Sequence, residues 1–207
     1  MNQPYVIILA NGLNGLGAVR SAAHAGLRTY TLLTSQTDLS AYSRYSQYRF
    51  LLPATPGVED IRPILDQLYR NEDGPGVLLA CSDLAAELLG KLKTEGYSHH
   101  HLIVPSSETT EILNDKKLEC QSMEKGGITL PRTYYQLATD TPESFPIIIK
   151  PRTFREYAVL GAKNVIVNTQ AELEKFREQF GGKLDRFIAQ EVIAGDDDNL
   201  WVCNVTF

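Results

Sequence analysis

Through the first hundred residues, short apolar runs alternate with amphipathic stretches, the pattern of a parallel sheet whose crossovers are helices. Residues 6–10 form a continuous apolar run, as a strand buried on both faces requires. A glycine-rich turn follows, and 18–25 reads as a helix ended by Gly26. Residues 28–34 predict a second strand and 50–52 a third, stopped by Pro53. Ile61, Ile64, Leu65 and Leu68 fall at helical spacing over 60–69. Residues 77–81 read as another buried strand, and Asp83 opens a helix through Leu84, Leu88 and Leu92. A strand at 102–104, closed by Pro105, completes the sheet.

Beyond Pro105 the texture changes to an α+β pattern, so the expected domains are 1–105 and 106–207. Residues 110–125 predict one helix ended by Gly126 and Gly127, and Pro131 prevents its continuation. Strands are expected at 147–150 and 163–168, with an irregular loop carrying Arg152, Arg155 and Tyr157 between them. Thr169 and Glu172 form a capping box for a helix whose Leu173, Phe176 and Phe180 share one face. Two more strands, 186–193 and 200–207, flank the polar turn 195–199, and Trp201 is expected to pack on the second.

Composition adds bounds. A hydrophobic share of 43% and a charged share of 22% suit a soluble globular protein. The net charge is −5 and the basic residues are scattered, so no stripe suited to nucleic acid is visible. Cys81, Cys120 and Cys203 form no C-x-x-C pair, which predicts reduced thiols rather than a disulfide framework or a zinc site. No secretory signal and no run of about 18 apolar residues is present, so a cytoplasmic protein is expected, without a membrane span. Asn204 and Thr206 make a glycosylation acceptor that is then a chance match. The run His99-His100-His101 reads as a solvated loop, because consecutive extended residues point in different directions and ligand pairs share a face. No metal site is assigned.

Gly12, Gly15 and Gly17 sit between a strand and a helix, where free N–H groups suit an anion. Their spacing is G-x-x-G-x-G, not the dinucleotide fingerprint, and Thr34 and Ser35 stand where a ribose acid would end the second strand. A tight turn is the favoured reading over a Rossmann oxidoreductase; a carboxylate or phosphate of another ligand stays open.

The second half carries the candidate chemistry. Lys116 opens a helix, where its charge does not help the dipole. Lys150 ends a strand of three isoleucines beside Pro151, so its stem crosses apolar surface and its ammonium calls for an anionic partner. Glu191 follows Gln190 on a strand that runs into Gly195; a salt-bridged edge position is one reading of it. The acids at 196–198 have a solvated turn as their simplest role.

In this order and spacing the segments resemble the ATP-grasp superfamily, above all the group similar to the large chain of carbamoyl phosphate synthase and to carboxylate–amine ligases. The resemblance covers nearly the whole chain. The glycine turn, Arg20 and Ser43-Arg44-Tyr45 look like the family's Rossmann-like front domain. It implies an α/β fold: a parallel-sheet pre-ATP-grasp domain followed by the first, α+β subdomain of a truncated ATP-grasp fold. It further implies that Lys116 and Lys150 hold ATP phosphates, that backbone groups of Gln190, Glu191, Val192 and Ile193 read the adenine, and that Asp198 meets the ribose. Asn14 and Arg44 are candidates for facing a carboxylate substrate.

Two departures from the family pattern bear on function. The loop 152–161 holds one glycine where the family has several, so either Arg152 and Arg155 replace them as phosphate contacts or the lid is longer and mobile. The family's magnesium ligands lie on strands beyond Phe207, so magnesium is expected only with a further C-terminal portion. The implied protein is an ATP-dependent ligase acting through an acyl phosphate, of which this chain is a fragment that binds nucleotide weakly and does not turn over. Its catalytic residues are unassigned. Apolar surface left uncovered predicts a homodimer or poor solubility. The rival class is a non-catalytic nucleotide-binding or scaffold module with a degenerate ATP-grasp fold.

Overall fold

Six successive buried residues make β1 (Tyr5–Ala10) the centre of a five-stranded sheet in the computed structural model, which describes residues 4–196, 198 and 201. The chain divides into two compact units between Leu113 and Asn114. In the first, α1 (Gly12–His24) leads to β2 (Arg28–Leu33) and β3 (Tyr48–Leu51). Then come α2 (Val58–Asn71), β4 (Val77–Ala80), α3 (Asp83–Thr94), β5 (His101–Leu102) and α4 (Ser107–Asn114). The strands lie parallel in the order β3-β2-β1-β4-β5.

Strand alternation assigns the two faces of this sheet. Ile7, Leu9, Tyr30 and Leu32 pack with Ile61 and Leu65 of α2 and with Leu88, Leu89 and Leu92 of α3. Val6, Ile8, Ala10 and Leu33 pack with Val19 and Ala22 of α1. The helical spacing of Ile61, Leu65 and Leu68 therefore does what the sequence predicts: all three are buried.

Two expectations for this unit are corrected. The helix after β1 starts at Gly12, six residues before the expected position, so Gly15 and Gly17 are helical rather than part of a turn. A Cβ on Gly15 would lie 2.7 Å from Ala10 Cβ and 2.8 Å from Ser40 Oγ, so glycine serves close packing there. The histidine run is not a solvated loop either. His100 is buried, its Nδ1 accepts the Gly76 N–H at 2.9 Å, and its Nε2 donates to the Leu65 carbonyl at 2.8 Å. Burial pulls its basicity below the ordinary value, more than the Leu65 bond restores.

The second unit holds α5 (Lys116–Lys125), β6 (Thr133–Tyr134), β7 (Ile147–Pro151), α6 (Tyr157–Leu160), β8 (Val165–Val167), α7 (Gln170–Phe180) and β9 (Phe187–Glu191). The strands are antiparallel in the order β6-β9-β7-β8. Ile147, Ile149, Phe187 and Ala189 form one face and pack with Leu173 and Phe176 of α7, whose start Thr169 caps through the Glu172 N–H at 3.2 Å. The opposite face carries Ile148, Lys150, Ile188 and Gln190.

Three sequence expectations change in this unit. The single helix expected over 110–125 is two, because the Asp115 side chain accepts the N–H groups of Lys117 and Leu118 and starts α5 afresh. Strand β9 is not a free edge but lies between β6 and β7, since Thr133 pairs with Gln190 and Tyr134 with Ala189. Trp201 is 91% exposed rather than packed, and the rest of the strand expected over 200–207, with Cys203 and Asn204, lies outside the described residues. No helix of the described residues is long and apolar enough to cross a membrane.

Candidate functional site

Lys150 and Lys116 are brought to the same side of the second sheet by two different devices. Residue alternation along β7 puts Ile147 and Ile149 into the core and leaves Lys150 on the other face, half-buried. There its Nζ donates to Gln190 Oε1 at 2.8 Å. Lys116 is set by the start of α5: its N–H donates to the Arg152 carbonyl at 2.9 Å, and its ammonium lies 5.6 Å from the centre of the Tyr157 ring.

Burial lowers the basicity of Lys150, the nearby Cys120 and Glu119 oppose that effect, and the positive charge of Lys116 adds to it. Among the described residues no carboxylate pairs with Lys150. Two cations thus share a partly desolvated surface, with Glu119 nearby but, among the described residues, no carboxylate in contact with Lys150, an arrangement that attracts a polyanion.

Arg152 is directed elsewhere. Its guanidinium holds Asp115, Nε reaching both carboxylate oxygens at 3.1 Å and an Nη completing the fork. Burial alone would raise the Asp115 carboxyl, but the Arg152 hydrogen bonds and the Lys117 N–H outweigh it and hold it below the usual range. A polar hollow beside the pair is lined by Thr153, Glu156, Asp185 and Arg186. The loop after Lys150 is folded: the Thr153 hydroxyl and the Glu156 carboxylate close a capped 3-10 turn at Phe154–Glu156, α6 continues it, and Gly161 ends it with φ of 76°. Arg155 lies over the Phe154 ring at 4.6 Å.

At the end of β9, the Gln190 side chain points inward and is buried, while Glu191 Oε1 accepts the Arg132 N–H at 2.8 Å. The Glu191 and Val192 N–H groups donate to the carbonyls of Arg132 and Pro146. What faces outward is apolar: Val192 is partly exposed and Ile193 is 66% exposed. Asp198 is exposed.

In the first unit Asn14 is exposed on α1, and Arg44 is exposed with its guanidinium donating to the Tyr45 hydroxyl at 2.7 Å. The N-terminus of α1 already has an anion, since the Gly12 N–H donates to Asp38 Oδ2 at 2.7 Å. A small cleft at the carboxyl ends of β1, β2 and β4 is lined by Leu9, Asn11, Leu32, Thr34, Ser82 and Leu84. Among the described residues, no group of three or more His, Cys, Asp or Glu side chains could hold a metal ion.

Several residues of the second unit's site were not singled out from sequence. Thr133 belongs to a two-residue strand too short to show alternation, and Cys120 is one apolar position of a polar helix. The inward aim of Gln190 was readable: it stands two residues from Ile188, on the same face.

No protein-family model and no curated protein matches the chain. Solved structures match in fold. An L-amino acid ligase from Bacillus licheniformis superposes with a TM-score of 0.65 at 17% identity, over 94% of this chain and 45% of that one. An N5-carboxyaminoimidazole synthetase from Staphylococcus aureus, complexed with ADP, does so with a TM-score of 0.65 at 16% identity, over 93% and 48%. The biotin carboxylase domain dimer of Hydrogenobacter thermophilus 2-oxoglutarate carboxylase, in complex with MgADP, ADP and bicarbonate, gives 0.61 at 13% identity, over 93% and 45%. The chain spans about half the length of each of these proteins.

Proposed function

We infer, from a fold that is that of the N-terminal portion of ATP-grasp ligases, that this chain binds the phosphates of ATP between Lys116 and Lys150. The supporting observation is Lys150 itself: a half-buried ammonium, repelled by Lys116 and paired with an amide instead of a carboxylate. A triphosphate would supply the missing negative charge. In this reading the first unit is a Rossmann-like pre-ATP-grasp domain and the second an N-terminal ATP-grasp subdomain, with the division after Leu113 instead of at the expected residue 105.

The residues at the end of β9 fit the rest of a nucleotide. Val192 and Ile193 offer exposed apolar side chains for the base, and Asp198, also exposed, is the candidate for the ribose hydroxyls. Arg152 acts on phosphate only indirectly, by fixing Asp115 and with it the start of α5. The whole protein would be a cytoplasmic ligase that joins a small carboxylate to an amine. Lys116 and Lys150 would steady the phosphoryl group as charge gathers on it. Magnesium, where bound, would neutralise phosphate charge; the described residues gather no cluster of three or more ligating side chains for it. Asn14 and Arg44, both exposed, are offered as contacts for the carboxylate substrate.

Titration of ATP into the chain by calorimetry tests the reading. Lys150→Ala is expected to weaken binding by about tenfold or more, the effect of losing a charge-assisted hydrogen bond. Tight binding that Lys150→Ala leaves unchanged would sink the assignment.

A second reading has one observation in its favour. The segment after Lys150 is folded into a capped helical turn that lays Tyr157 over Lys116. A binding or scaffold module that no longer turns over would keep such a fixed turn. Binding of ATP by the whole protein without phosphate release would select this reading.

A further inference from the structure

The side chain of Gln190 stands at the centre of a directed hydrogen-bond chain. The Thr133 hydroxyl donates to the Pro131 carbonyl at 2.8 Å, so its oxygen is left to accept. Gln190 Nε2 donates to that oxygen at 3.0 Å, and its second contact is the Cys120 sulfur at 3.6 Å. Both contacts on the nitrogen side fix the amide, and Oε1 is turned to Lys150 Nζ at 2.8 Å. An ammonium has donors only, so this orientation of the amide is the one that works. Gln190 is itself 7% exposed, held between β6 and β7 by backbone pairing on both sides.

An amide at this place does something a carboxylate would not. It aims the ammonium and satisfies one of its three donors, yet supplies no net charge. The titratable groups that act on Lys150 among the described residues come from α5: Lys116, Glu119 and the Cys120 thiol, whose burial keeps it protonated. With a carboxylate in contact, the local charge would cancel and an incoming anion would face a closed ion pair.

We propose that Gln190 is a positioning residue that aims Lys150 while leaving its charge uncompensated for a phosphate-bearing ligand. The proposal rests on the nucleotide reading for the identity of that ligand, but not for the hold on Lys150. It yields a sharp contrast between an isosteric acid and an isosteric apolar side chain. Gln190→Glu raises the Lys150 pKa and weakens anion binding. Gln190→Met lowers the Lys150 pKa and leaves the ammonium without its aim.

The test uses the full chain, with the Lys150 side-chain NMR signal assigned through Lys150→Arg and titrated with pH in the absence of nucleotide. ATP calorimetry is then run on the same proteins. Against wild type, a rise of about one pKa unit or more in Gln190→Glu is expected, with a fall in Gln190→Met. A loss of about tenfold in ATP affinity is expected in Gln190→Glu. Thermal melting verifies folding, and Gln190→Met carries the test should the buried acid prevent it. The same Lys150 pKa in wild type and in either folded variant overturns the proposal, as does unchanged ATP affinity in Gln190→Glu. Should Lys150 respond as expected while wild type binds no ATP, the hold of Gln190 on Lys150 is upheld and the nucleotide reading is the one that fails.

Discussion

Asp115 holds Arg152 with both carboxylate oxygens while one of them, Oδ1, also accepts the Lys117 N–H at 2.9 Å. The pair spans 37 residues of chain and ties the first turn of α5 to the end of β7, two residues past Lys150. One carboxylate therefore serves as a helix cap and as the anchor that registers Lys116 against the strand.

Removing it costs both roles. Asp115→Ala is expected to lower the unfolding free energy by about 2 kcal/mol, from a lost cap and a partly buried guanidinium left without its partner. Asp115→Asn, which still caps, is expected to lose about half of that. Because the carboxyl is held below its unfolded value of 3.8, its stabilisation is complete above that pH and is lost as pH falls through the lower folded value. Urea denaturation between neutral and acid pH is the measurement, and Asp115→Asn should flatten the acid limb.

His100 predicts a second pH dependence, at milder acidity. Its Nδ1 accepts from Gly76, so a proton can be added only by breaking that bond. Burial first of all, with that geometry beside it, makes the folded form resist protonation and moves its titration below the ordinary value of 6.5, which the unfolded chain keeps. Stability is full above that value and falls as pH drops from it through the folded pKa, with a slope of up to about 1.4 kcal/mol per pH unit. His100→Gln keeps a donor and an acceptor but does not titrate. The difference between the two proteins in thermal melts from pH 7 to pH 5 isolates the effect, and parallel curves would refute it.

The glycines of α1 predict opposite outcomes two residues apart. In Gly15→Ala the new Cβ would meet the Ala10 backbone at 2.8 Å, with no flexible side chain there to yield, so a loss of about 1–3 kcal/mol is expected. Nothing lies within 4 Å of a Cβ at Gly17, so Gly17→Ala should gain about 0.5–1 kcal/mol from helix propensity. Denaturant midpoints of the two variants check both signs together.

Where burial is continuous, the fold was legible in the residues. The run at β1 and the spacing of Ile61, Leu65 and Leu68 left little choice of element. What escaped was decided by contacts rather than by pattern. Gly12 starts a helix because Asp38, distant in sequence, waits at its N–H; Asp115 breaks one because Arg152 is there to reward the break. For the candidate site, Lys150 was visible as a charge at an apolar border and Lys116 as a charge at a helix start, while their support was not. Thr133 and Gln190 meet across 57 residues through a two-residue strand, and no local signal announces such a pairing.

The contact between Asp38 and Gly12 also decides what holds the start of α1. Asn11, which precedes the helix, makes no side-chain cap, and the first N–H is matched instead by a carboxylate 26 residues away. The turn after β1 is thus fastened from a distant loop, so a change in that loop is felt at the first turn of the helix.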